Sequence, residues 1–140
     1  LTGVQMEVGP VATELEQENI STTLAKCQRY FEKTYNQGVN PATETALGGV
    51  SSGGVAGNNT TGEIGCRFNF EVTKRAAPTV VIFDLAGNTP KTTRGLYGTG
   101  TSANQAGATA NIAETGVFIT SASGDNASEF YAHFTADAEL

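Results

Sequence analysis

The 140-residue chain predicts a mainly β fold, an antiparallel β-sandwich of jelly-roll type preceded by one strand and one amphipathic α-helix. Three observations carry this expectation. Residues 63–72 alternate strictly, with Ile64, Cys66, Phe68, Phe70 and Val72 on one face and Glu63, Gly65, Arg67, Asn69 and Glu71 on the other. Residues 79–84 form an almost wholly apolar run, and residues 112–121 and 128–136 read as two further strands. Seventeen Gly, no Trp and only 16% charged residues, with Ser, Thr and Asn crowding the intervening stretches, suit strands joined by long polar loops.

Taken in order, Val4, Met6 and Val8 alternate with Gln5, Glu7 and Gly9, a strand pattern that Pro10 ends because it cannot donate to a ladder. Residues 14–18 form an acidic connector, after which Asn19 or Ser21 can cap a helix over residues 21–35. Ile20, Leu24, Cys27, Phe31 and Tyr35 follow steps of four, three, four and four, so they form one apolar stripe. Thr22, Lys26, Arg29 and Lys33 fall elsewhere, and the three cations suit the negative end of the helix dipole. So short a helix is marginal alone and is expected to pack on the sheet of its own domain.

Residues 36–62 are Gly-rich and polar, with one short strand expected near 46–50. Residues 63–72 read as a central strand, and the apolar run at 79–84 as a strand covered on both faces. Residues 86–90 supply a turn, residues 95–110 a second Gly, Thr and Ser loop, and residues 123–127 the turn between the last two strands. The organisation is thus a junction strand and connecting helix at 1–36 packed with a β-sandwich domain at 37–140. The opening on Leu1, directly within a strand-like alternation, is the expected start of a C-terminal segment of a longer chain.

A net charge of −6 disfavours nucleic acid and anionic membrane surfaces, which need clustered Lys and Arg. No apolar run approaches the ~18 residues of a membrane span, so no membrane insertion is expected. Cys27 and Cys66 match no zinc or redox spacing and read as two buried free thiols acting as small hydrophobes, the alternative being a disulfide between them.

Catalytic chemistry finds little support. His133 is the only histidine and falls on the face of its strand opposite Phe130, Ala132 and Phe134, which makes it an exposed or interface residue and leaves any Ser or Cys without a base. Asp84, Asp125 and Asn126 offer oxygen ligands but no EF-hand spacing, so no metal is expected, and Gly95 to Gly100 lacks the Lys-Ser/Thr ending of a phosphate loop. Paired acidic residues of a glycosidase are not distinguishable from solvated charge on the connector and helix. No catalytic residue and no cofactor are assigned.

The alternation Gln5-x-Glu7-x-Gly9, the acidic linker, and Cys27-Gln28-Arg29-Tyr30 in the following helix together resemble a junction of bacteriophage tail fibre and tailspike proteins. The segment Lys74-Arg75-Ala76-Ala77-Pro78-Thr79 and the ending Phe130 to Leu140 are similar to the same family, while the Gly-rich regions carry little of the likeness. The resemblance implies a C-terminal receptor-binding and trimerisation domain in a virion tail. It implies a homotrimer, a host cell-surface polysaccharide or lipopolysaccharide as partner, and any depolymerising activity upstream of this segment. A purely structural trimerisation cap is the competing expectation.

Sugar recognition needs an aromatic face against the pyranose and polar groups that fix its hydroxyls. Arg94 with Tyr97 on one loop, Asp125 and Asn126 on a turn, and outward-facing Tyr131 with His133 are the candidate ligand-binding residues.

Overall fold

The computed structural model describes residues 8–11, 18–53, 64–96, 102–121 and 127–139. Among these residues one helix, α1 (Ile20–Gln28), is followed by eight strands: β1 (Phe31–Lys33), β2 (Val50–Gly53), β3 (Ile64–Asn69), β4 (Thr79–Phe83), β5 (Lys91–Leu96), β6 (Ser102–Ala113), β7 (Gly116–Ser121) and β8 (Ala127–Asp137). The chain is therefore mainly β with one helix, as its alternations predict, and every strand pairing is antiparallel. The expected first strand at 4–8 lies largely outside the described residues.

The strands form one continuous sheet in the order β1, β8, β5, β6, β7, β3, with β2 and β4 also on β8. The long β8 organises it. Its C-terminal half pairs with β1 and β4, its N-terminal half with β2 and β5. The sheet curls until Phe68 of β3 stacks on Phe130 of β8, ring centroids 6.4 Å apart. The apolar face thus closes on itself: Phe130, Ala132, Phe134 and Ala136 of β8 meet Ile82, Phe70, Val117 and Ile119 in a single core. Each large side chain so buried contributes about 1.5–3 kcal/mol.

The helix is shorter than its apolar stripe suggests. Asn19 is the N-cap, its Oδ1 accepting from the Ser21 amide at 2.9 Å, but the helix stops at Gln28 and Phe31 enters a strand. Tertiary partners capture the carbonyls that would carry it on: Lys74 Nζ donates to the Gln28 carbonyl at 2.5 Å, the Arg75 amide to that of Arg29 at 3.0 Å and the Ala138 amide to that of Tyr30 at 2.7 Å. No residue of α1 is buried; Ile20 is 84% exposed and the Cys27 thiol is free and exposed rather than packed. Cys66 is half-buried and also free.

Other expectations change for related reasons. Among the described residues β3 stands at the end of the strand order with β7 as its one partner, an edge position rather than a central one, and Cys66 is partly accessible. β4 is covered along its inner face but on its outer face only at Phe83, beneath Tyr35, since Val81 remains 38% exposed. The short strand of the first Gly-rich region lies at Val50–Gly53, just beyond 46–50. The second, expected as a loop, contains most of β6, and the span 112–121 breaks at Glu114 and Thr115 into a tight hairpin with Ala113 opposite Gly116.

A buried polar strut ties the N-terminal elements to the sheet. Lys74, 1% exposed, donates from Nζ to Glu32 Oε2 at 2.5 Å and to the Val72 carbonyl at 3.2 Å as well as to Gln28, with its ammonium 4.8 Å from the Phe70 ring centroid. The Glu32 carboxylate in turn accepts from the Glu71 amide at 3.2 and 3.3 Å. The fully buried Asp84 closes the turn into β5, accepting from the Asn88 amide at 2.8 Å and from its side-chain amide at 2.9 Å.

Candidate functional site

Strand register arranges the outer face of β1, β8 and β4 into rows. Phe31, Asp137 and Thr79 are opposite one another in the first row, and Lys33, Thr135 and Val81 in the second. Side chains directly opposite on one face have Cβ atoms about 4.5–5.5 Å apart, so the Phe31 ring and the Asp137 carboxylate are neighbours. Further along β8, His133 stands opposite Phe83 and carries the stacked Tyr35 ring, centroids 4.0 Å apart at 12°. Tyr35 also meets Phe83 edge-on at 6.0 Å.

The His133 row is closed and the first two rows are open. Over His133 the segment after β1 folds back: the Tyr35 hydroxyl accepts from the Ala42 amide at 3.2 Å, and the Thr45 amide donates to the Leu85 carbonyl at 3.0 Å. Over the first rows lies a groove of about 450 Å³ lined by Phe31, Thr79, Val81, Thr135, Asp137 and Glu139. That volume lies within the range of small-ligand sites.

The groove offers an unusual combination. Phe31 is 41% exposed and Val81 38%, so an apolar strip faces solvent. Between them Thr135 is only 9% exposed, and its hydroxyl has no hydrogen-bond partner among the described residues although it lines the groove. A buried hydroxyl without a partner is costly unless something else supplies one. Asp137 and Glu139 bring two carboxylates, with Asp137 Oδ1 accepting from the Glu139 amide at 2.9 Å. The nearest cation on the same face, Lys33, is turned away: its ammonium donates to the carbonyls of Val39 at 2.6 Å and Gln37 at 3.2 Å.

Of the residues expected from sequence, His133 is corrected most. It is fully buried, not exposed, because the segment after β1 covers its face of β8. Its Nε2–H donates to the Thr45 carbonyl at 3.0 Å and its Nδ1 accepts from the Thr34 hydroxyl at 2.9 Å, a pairing that fits the neutral ring. Burial pushes its pKa below the ordinary imidazole value, against the opposing pull of the Thr45 carbonyl.

Tyr131 shares that face but is half-buried, and its hydroxyl donates to Glu129 Oε2 at 2.6 Å, which raises its pKa because the carboxylate holds the proton. Arg94, expected on a loop, lies instead on β5 at the position opposite Phe130. Tyr97, Asp125 and Asn126 lie outside the described residues; the adjoining Leu96 and Ala127 are paired with each other. The groove itself was not anticipated: Phe31 reads as helix core, and Asp137 and Glu139 read as a chain end. The available signal was the alternation of Thr135 and Asp137 against Phe134 and Ala136, which places both polar residues outside.

Among the described residues no group of His, Cys, Asp and Glu could hold a metal ion, and no helix is long and apolar enough to cross a membrane. Comparison with known proteins finds no matching family model, no matching curated protein and no matching solved structure.

Proposed function

We propose that this chain is the C-terminal domain of a phage tail fibre or tailspike and that it contacts a host-surface glycan through the groove of β1, β4 and β8. The supporting observation is the groove: an exposed Phe31 ring beside a carboxylate and the nine-tenths buried Thr135, whose hydroxyl has no partner among the described residues. Such a ring covers the apolar face of a pyranose, and the polar groups order its hydroxyls. The domain performs binding, not catalysis. In a homotrimer three weak sites act together, so modest affinity at each suffices for attachment.

The test is the solution mass of the protein by light scattering, followed by competition of the same sample with phage for adsorption to host cells. A trimer that blocks adsorption, and loses blocking with Phe31→Ala while keeping its mass and fold, supports the proposal. A well-folded protein that never blocks refutes it. A structural trimerisation cap is the second reading, favoured by the apolar surface of α1, where Ile20 is 84% and Leu24 42% exposed; it predicts that Ile20→Asp abolishes assembly and leaves Phe31→Ala silent.

A further inference from the structure

Resting on that reading of the groove, we infer that it selects saccharide units carrying a protonated amine over their neutral or acidic counterparts. Asp137 sits in the centre of the first row, with Phe31 on one side and Thr79 on the other. A pyranose seated against Phe31 therefore presents a ring substituent to the Asp137 carboxylate, and Glu139 extends the same negative rim. An ammonium there gains both the carboxylate and the face of an aromatic ring, two partners that favour cations.

Among the described residues no positive charge lines the groove to compensate. Lys33 spends its donors on the carbonyls of Val39 and Gln37, and Lys74 is buried with Glu32 on the other side of the sheet. A uronic acid or phosphate brought to this rim meets unopposed carboxylates. Thr135 supplies the polar anchor: the residue is nine-tenths buried and lines the groove, and its hydroxyl, unpartnered among the described residues, is completed by a hydroxyl of the bound sugar. Thr79 at the groove edge adds a second hydroxyl. Because the carboxylates are exposed, the charge preference is moderate, about tenfold in affinity, and weakens as salt screens it.

The experiment uses two probes with the same sugar backbone, the β-linked trimer of glucosamine, which carries ammonium groups, and the same trimer fully N-acetylated, which carries neutral acetamides, titrated into the ¹⁵N-labelled protein and followed by amide shifts. The expected result is binding of both at Phe31, Thr79, Thr135 and Asp137, with the amine trimer about tenfold tighter at low salt. Asp137→Asn, which keeps the oxygen that accepts from the Glu139 amide, is expected to abolish the preference and spare the N-acetylated trimer. Equal affinities for the two trimers in the wild-type protein overturn charge selection and leave the glycan-binding proposal standing. Absence of shifts at these residues with either probe overturns both. Spermine, a polyamine without a sugar ring, serves as the control; binding as tight as that of the amine trimer overturns the saccharide assignment.

Discussion

Replacing Lys74 by Met tests whether the buried strut joins the N-terminal segment to the sheet. The substitution keeps most of the stem that packs near Phe70 and removes the ammonium with its bonds to Gln28, Glu32 and Val72. Glu32, whose side chain is 10% exposed, then holds a carboxylate supported, among the described residues, only by the Glu71 amide at 3.2 and 3.3 Å. Breaking one side of a buried ion pair costs about 3–5 kcal/mol, a large share of a typical domain stability of about 5–15 kcal/mol. At about 2–4 °C per kcal/mol for a chain of this size, Tm should fall by roughly 10–15 °C. Urea unfolding followed by circular dichroism gives the free energy directly. Adding Glu32→Gln removes the stranded charge, so the double variant should be more stable than the sum of the two single losses by at least ~1 kcal/mol. A Lys74→Met protein within about 1 kcal/mol of wild type, or strictly additive losses, would refute the assignment of this pair as a coupled strut.

Three further outcomes follow from single contacts. The His133 pKa is depressed in the folded state, so the folded protein binds fewer protons than the unfolded chain; stability is full above the unfolded imidazole value of about 6.5 and declines as pH falls below it. Urea midpoints across that interval should show the decline in wild type and lack it in His133→Gln. Thr92→Val strands the buried Ser121 hydroxyl, now paired with Thr92 at 2.8 Å, and should cost about 1–3 kcal/mol, most of it recovered by adding Ser121→Ala. Gly87 has φ of +84° and an added Cβ would lie 2.1 Å from the Ala42 carbonyl oxygen, whereas a Cβ on Gly38 meets nothing within 4 Å. Gly87→Ala should therefore cost about 2 kcal/mol or more, and Gly38→Ala should stay within about 0.5 kcal/mol of wild type, both read by thermal unfolding.

By itself the sequence determined which residues face inward on the strands with apolar alternation. Phe68 and Phe70, and Phe130 with Phe134, all reach the core that their spacing predicts, because a side chain in a strand has only two faces to choose from. Local chemistry was equally legible at Asn19, whose short side chain caps a helix without help from distant residues. β5 was hidden because it buries hydroxyls: Thr92 pairs with Ser121, and Thr93 accepts from the Leu85 amide at 3.0 Å, so no apolar rhythm marks the strand.

What only the tertiary structure decided depends on partners far away in the chain. The stripe from Ile20 to Tyr35 fits a helix, yet the carbonyls of Gln28, Arg29 and Tyr30 are taken by Lys74, Arg75 and Ala138, and the pairing of Phe31 with Asp137 draws the next residues into the sheet. The same pairing makes the groove, by placing an aromatic ring from the first quarter of the sequence beside carboxylates from its last few residues. His133 and Thr135 stand two apart on one face of β8, and one lies beneath the segment from Thr34 to Thr45 while the other lines an open groove. Periodicity assigns a residue to a face; what covers that face is set by where the rest of the chain folds.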